Sequence, residues 1–161
     1  MPTTKGEIAI ETKQLVIFKL GVEEFGVDIL QVREIEKLDQ TITRVPKSPV
    51  FVEGVINLRG EIVPIVDLRK RFGLSVRPIS ADTRVIIVEI NENLVGMVVD
   101  QVVEVFRINV AEVLQAPDIT KTVDSYFING VAKINERLVV LLNLERTLSP
   151  EEARELGEMS K

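Results

Sequence analysis

Cysteine, histidine and tryptophan are all missing from these 161 residues, and one tyrosine with six phenylalanines supplies every aromatic ring. Without cysteine there is no disulfide and no thiolate nucleophile. Without histidine there is no imidazole base, and the usual zinc and haem ligands go with the pair. Long apolar runs are lacking too, since no stretch approaches the ~18 residues of a membrane-crossing helix. The first residues, Met1 to Glu7, hold no apolar core for export, so the chain reads as cytoplasmic, and the missing cysteines leave its redox compartment open. Neither charge sign dominates. Twenty Lys and Arg against 25 Asp and Glu give a net charge of -5, interspersed along the chain, which argues against a phosphate-binding surface and against nucleic acid as a partner.

What the chain does have is 45% apolar residues, enough to fill the core of one domain or of two small ones that share it. It also repeats itself. The fifteen residues from Gly54-Val55-Ile56-Asn57-Leu58-Arg59-Gly60 to Leu68 align without a gap on those from Gly130-Val131-Ala132-Lys133-Ile134-Asn135-Glu136 to Leu144. Four of the 15 positions are identical, where chance gives roughly one, and apolar always meets apolar. A second pair agrees: Phe25-Gly26-Val27-Asp28-Ile29-Leu30-Gln31-Val32-Arg33-Glu34-Ile35 matches the run Val95 to Val105, with Gly, Gln, Val and Glu recurring in register. The shared positions are scaffold. The differing ones, Asn57 and Arg59-Gly60 against Lys133 and Asn135-Glu136, are where a job done by one half is to be sought.

Short branched-residue runs at 16–20, 85–90 and 137–142, bounded by polar or glycine turns, read as strands, and their spacing suggests barrels rather than one open sheet. Pro64 cannot donate to a ladder, so its strand is expected at an edge or bulge. Ser149-Pro150-Glu151-Glu152 signals a C-terminal helix from about Pro150 toward Leu156, read as a lid or tail because it has few apolar residues. Ser48 is expected to cap a single turn ending at Gly54, and residues 68–73 a short basic turn ended by Gly73. The halves meet near residues 74–83.

Chemistry is sparse. The carboxylate pairs Glu23-Glu24 and Glu151-Glu152 fall in a turn and a helix start, where acids serve solvent and the helix dipole rather than catalysis. Asp28, Asp67 and Asp100 match no calcium-loop spacing and read as capping or turn residues. Arg69-Lys70-Arg71 reads as a solvated basic face, with contact to phosphate or an acidic partner as the alternative. Gly60 supplies a turn conformation closed to most residues. Arg59 stands out between apolar Leu58 and Gly60. Its guanidinium either pairs with a carboxylate, Glu34 being the natural mate, or anchors a partner at the mouth of a groove. A barrel binding a saccharide or other small ligand through Glu34, Asn57 and Arg59 is a rival reading, and an enzyme is a second.

These motifs, residues 54–69 preceded by 25–35 and followed by 95–100, resemble the CheW family of bacterial chemotaxis adaptors over roughly Leu15 to Leu148. The resemblance implies a mainly β fold over 1–161: two small five-stranded SH3/OB-like barrels around a shared core, with short helical turns. The repeats lie at about 15–78 and 84–148, and a C-terminal helix or tail at 149–161, with strands possibly exchanged across the join. It implies a non-enzymatic scaffold, with no cofactor and no metal, that couples transmembrane chemoreceptors to the histidine kinase CheA. The scaffold is cytoplasmic and recruited to membrane-associated receptor arrays without inserting in the bilayer. The positions matching the groove for the receptor tip are Val27, Leu30, Val32, Glu34, Arg59 and Val102. Those matching the contact with the kinase's regulatory domain are Leu114 and Ile119, on either side of Pro117.

Overall fold

The computed structural model of the chain describes residues 10–38, 42–115, 123–148 and 150–159. Its strands are β1 (Thr12–Leu20), β2 (Glu23–Asp28), β3 (Val32–Lys37), β4 (Val52–Leu58), β5 (Glu61–Asp67), β6 (Arg84–Ile90), β7 (Asn93–Val99), β8 (Gln101–Asn109), β9 (Ile128–Ile134) and β10 (Arg137–Leu142). Helix is confined to α1 (Leu68–Arg71), α2 (Leu144–Thr147), α3 (Pro150–Met159) and single 3-10 turns at Ile29–Gln31, Val110–Glu112 and Ser125–Phe127. Tight hairpins set the strand pairings. Arg59-Gly60, Asn91-Glu92 and Asn135-Glu136 each hold positive φ at both central positions, the turn whose twist matches that of antiparallel strands.

Two five-stranded sheets result, in the orders β8-β1-β2-β10-β9 and β3-β6-β7-β5-β4. The two orders are the same pattern with the halves interchanged. Each sheet takes the first hairpin of one half and the last three strands of the other, so the exchange is reciprocal. The chain enters the second sheet at residues 28–31 and returns to the first at Asp100, which makes 32–99 one uninterrupted unit.

The ladders stop short of the closed barrels expected. Each sheet curls instead, and among the described residues one bridge joins its two edges: Thr43 with Val55 beyond β3, and Leu114 with Val131 beyond β8, each through a reciprocal backbone pair at 2.8–2.9 Å. The bridges demand glycine beside them. A Cβ on Gly54, at φ 142, would lie 2.1 Å from the Thr43 carbonyl oxygen, and one on Gly130 would lie 3.0 Å from that of Leu114. Gly54 therefore sits within β4 rather than ending a turn. The turn before it is closed by the Val52 amide donating to Pro49, while the Ser48 hydroxyl donates to Val45.

Burial on both faces explains why the central strands are nearly continuous apolar runs. On β1, Leu15 and Ile17 point into a cluster with Ala132, Ile134, Val139 and Leu141 inside the first sheet's curl. Val85 and Ile87 on β6 do the same with Ile56, Leu58, Val63 and Ile65 inside the second. The intervening residues Val16, Phe18, Ile86 and Val88 meet between the sheets in one larger core.

Two expectations fail for identifiable reasons. Pro64 lies on an interior strand, since β5 runs between β7 and β4; the parallel ladder to β7 spans Ile65 to Asp67, whereas its counterpart spans Val139 to Leu141. The sheet accommodates the missing donor by starting that ladder, also three residues long, two positions later than its counterpart. The C-terminal helix begins at Pro150, as its sequence indicates, but it is no loose tail: Leu156 is 1% exposed in the shared core, and Arg71 donates to Glu152 at 3.1 Å. One well-placed leucine outweighs a polar average. The Ser149 cap lies outside the described residues.

Candidate functional site

The two crossings between sheets are where the halves differ most. At the first, Asp28 accepts from the Leu30 amide at 2.9 Å and so turns the backbone into the 3-10 step. Ile29 tucks against the shared core, and Leu30 is left 90% exposed. At the second, Asp100 occupies the position equivalent to Leu30. It accepts from Gly21 N at 2.7 Å and Arg69 Nε at 2.8 Å, and takes a further bond from Arg69 Nη2. Arg69 Nη1 donates to the Ser75 carbonyl at 2.7 Å, so the guanidinium is satisfied although the residue is only 7% exposed. The Arg69 guanidinium beside Asp100 holds its carboxyl below the usual aspartate value.

The basic turn 68–73 is thus not a solvated face. Besides Arg69, Lys70 pairs with Glu53 at 2.6 Å. Arg71 lies over the rings of Phe51 and Phe127, at 4.7 and 5.1 Å, and donates to the Thr147 carbonyl at 2.6 Å. Asp67 caps the turn and Gly73 ends it at φ 74, both as expected.

Of the predicted groove residues, Val27 is fully buried, and Val32 and Val102 pack at the margin of the same core. Leu30 alone of the four apolar ones is fully displayed. Glu34 sits on edge strand β3, just after a bulge at Val32 and Glu34, and forms a hydrogen-bonded ion pair with Arg59. That pair links the β4–β5 turn to a strand at the opposite edge of the same sheet, a reach the curl makes possible. Arg59 is 67% exposed along its side chain, so it is a turn residue rather than a core one. The guanidinium lowers the Glu34 carboxyl below its ordinary value, and the carboxylate raises Arg59. Asn57 completes the turn by accepting from Gly60 N at 2.8 Å.

Leu114, half-exposed, anchors the closing bridge to β9. Ile119 and Pro117 lie outside the described residues.

Two features escape the sequence comparison. The structural counterpart of the Glu34–Arg59 pair is Glu104 with Arg137, which also lies 3.5 Å from Glu24. Glu34 and Glu104 recur in register, which is a signal; their arginines come from non-equivalent positions, which hides the match. Ile35 and Val105, equivalent residues on the outer strands β3 and β8, are both solvent-exposed. A period of two along 32–37 puts Ile35 on the outward face with Arg33 and Lys37, opposite Glu34 and Glu36. Among the described residues no cluster of three acidic side chains could hold a metal ion, and no helix is long and apolar enough to cross a membrane.

Comparison with known proteins agrees on one family. A profile of the CheW-like domain matches residues 14–152. The chemotaxis protein CheW of Klebsiella aerogenes is 38% identical over 160 residues, covering 98% of this chain and 96% of that protein. That of Bacillus subtilis is 32% identical over 142 residues, covering 88% and 90%. The crystal structure of the scaffolding protein TtCheW from Thermoanaerobacter tengcongensis superposes with a TM-score of 0.79 at 38% identity, covering 94% of this chain and 96% of that one. With the doubled, exchanged sheets and matches along nearly its full length, the chain belongs to the CheW family.

Proposed function

We propose that this chain is a non-catalytic scaffold that couples chemoreceptors to the histidine kinase CheA, so that receptor state controls kinase activity. The observation that carries this reading is the first crossing: an exposed Leu30 beside an exposed Glu34–Arg59 pair, in a chain whose other crossing is sealed by Asp100. An apolar knob beside a fixed charge pair suits the ridge of an amphipathic helix. The leucine supplies contact area, and the pair sets register and orientation. Val27, Val32 and Val102 support that floor from the shared core, and the receptor's cytoplasmic tip is the occupant. Leu114 and Ile119 are assigned to the kinase's regulatory domain, Leu114 on the strength of its exposure beside the closing bridge. The scaffold works at membrane-associated receptor arrays through its partners. It acts by holding receptor and kinase together so that one biases the other's equilibrium.

The test is reconstitution of receptor-controlled kinase activity with purified chain, receptor fragment and CheA. Leu30→Asp is expected to weaken receptor capture by at least tenfold while the melting temperature stays within about 2 °C, because the side chain touches little of its own protein. Undiminished capture by Leu30→Asp, with kinase control intact, overturns the assignment of this crossing.

A further inference from the structure

A cavity of about 280 Å³ lies between the inter-half segment and the second sheet, away from the first crossing. Val76 and Ile79 of the segment form its outer wall, and Leu38, Ile42 and Val98 its floor. Such volumes stand at the lower end of the ~300–1,000 Å³ range of small-molecule sites, which pair apolar walls with a few polar groups. The polar groups here are Glu53, Asp67, Asp100, Arg69 and Arg77.

Their ion pairs are unevenly shared. Arg69 is spent on Asp100 and the Ser75 carbonyl, and Arg77 reaches that same Asp100 at 3.9 Å. Glu53 is matched by Lys70 at 2.6 Å. Asp67 remains. It accepts the Arg69 amide at 2.9 Å, but among the described residues it forms no ion pair. A half-buried carboxylate at the wall of an apolar cavity, with no ion pair of its own and only the more distant charges of Lys70 and Arg69 to offset it, is complementary to a cation with an apolar body.

We propose that this cavity is a binding site for a small organic cation, an aliphatic ammonium or guanidinium whose head meets Asp67 and whose body lies on Leu38, Ile42 and Val98. Burial, with Glu53 nearby, raises the Asp67 carboxyl above its ordinary value, although the Arg69 and Lys70 amides and the Lys70 charge act the other way. A bound cation reverses that shift, so affinity rises with pH as Asp67 deprotonates. Seated there, the ligand joins the segment between the halves to β7 and α1, a role separate from the adaptor reading.

The experiment titrates the full chain with n-butylammonium, n-butanol and n-butyrate, three probes with one body and different heads, while methyl NMR signals of Leu38, Ile42 and Val98 are followed. The expected ranking is butylammonium first, by about tenfold over butanol, with butyrate weakest and the shifts confined to the cavity methyls. Asp67→Asn keeps an amide oxygen to cap α1, so it is expected to fold with an unchanged melting temperature and to bind butylammonium and butanol equally. Equal affinities for all three probes in the parent chain, butyrate binding best, shifts scattered over surface carboxylates, or a cation preference that survives Asp67→Asn would each overturn the proposal.

Discussion

Leu30 and Asp100 hold the same place in the two halves, at the point where the chain leaves one sheet for the other, and they do opposite things. Asp100 binds Gly21, Arg69 and, more loosely, Arg77, and so closes its crossing against solvent. The Leu30 side chain faces outward, next in the chain to an exposed Gln31–Glu145 contact of 2.9 Å. Residue 69 is arginine on one side, and its equivalent Glu145 is acidic on the other. After duplication one crossing kept an internal partner, and the other, on the proposed function, was left to an external one. A duplicated scaffold therefore separates stability from recognition. Residues both halves share hold the fold, and function collects where they part.

Both halves share the edge-closing bridge, so breaking it carries the largest cost. Gly54→Ala places a methyl group 2.1 Å from the Thr43 carbonyl at a φ of 142, which no L side chain adopts without strain. The expected loss is about 4 kcal/mol in chemical denaturation. Gly130→Ala should lose less, near 2 kcal/mol, because its φ is ordinary and its nearest neighbour is a Val113 methyl that can move. Equal losses would mean that backbone strain at Gly54 contributes nothing.

Next in size is Asp100→Ala, which leaves the buried Arg69 guanidinium without its ion-pair partner. A loss of about 3 kcal/mol is expected by the same measurement. The pair also sets a pH dependence. Asp100 has a folded value below its ordinary 3.8, so its contribution is fully present above about pH 4 and disappears as pH falls through the folded value. Acid unfolding of the parent chain should steepen below pH 4, and Asp100→Ala should flatten that limb. Matching acid limbs would show that other carboxylates govern it.

The repeat, the strands and the helix starts were legible in the sequence because each rests on local chemistry: branched residues, left-handed turns, a proline at the first helical position. The exchange of hairpins was not. Leu15 and Val85 look alike in either arrangement, and only the register of β1 against β8 rather than β3 decides between them. The same blindness hid Arg69. A run of three cations resembles a solvated face unless Asp100, Glu53 and the Thr147 carbonyl are known to be waiting. Arg59 was legible because a lone charge in an apolar segment needs a reason, and Glu34 was found as its mate. Its counterpart Arg137 was missed because it enters from a different point of the hairpin.

The two arginines sharpen the comparison at its smallest scale. Arg137→Ala removes a partner from both Glu104 and Glu24, and Glu24 is mostly buried, so this variant is expected to lose more stability than Arg59→Ala. Arg59→Ala breaks an exposed pair. Alanine at φ 52 is no more strained than arginine there, so the fold is expected to keep its melting temperature while receptor or kinase association weakens. Asn135→Ala, at the matching turn position, leaves association unchanged, with at most about 1 kcal/mol lost because asparagine tolerates the left-handed turn better than alanine. Thermal melts and pull-downs on the three variants separate the roles. If Arg59→Ala melts early yet captures its partners as well as the parent, its ion pair with Glu34 is structural, and both halves use their arginines alike.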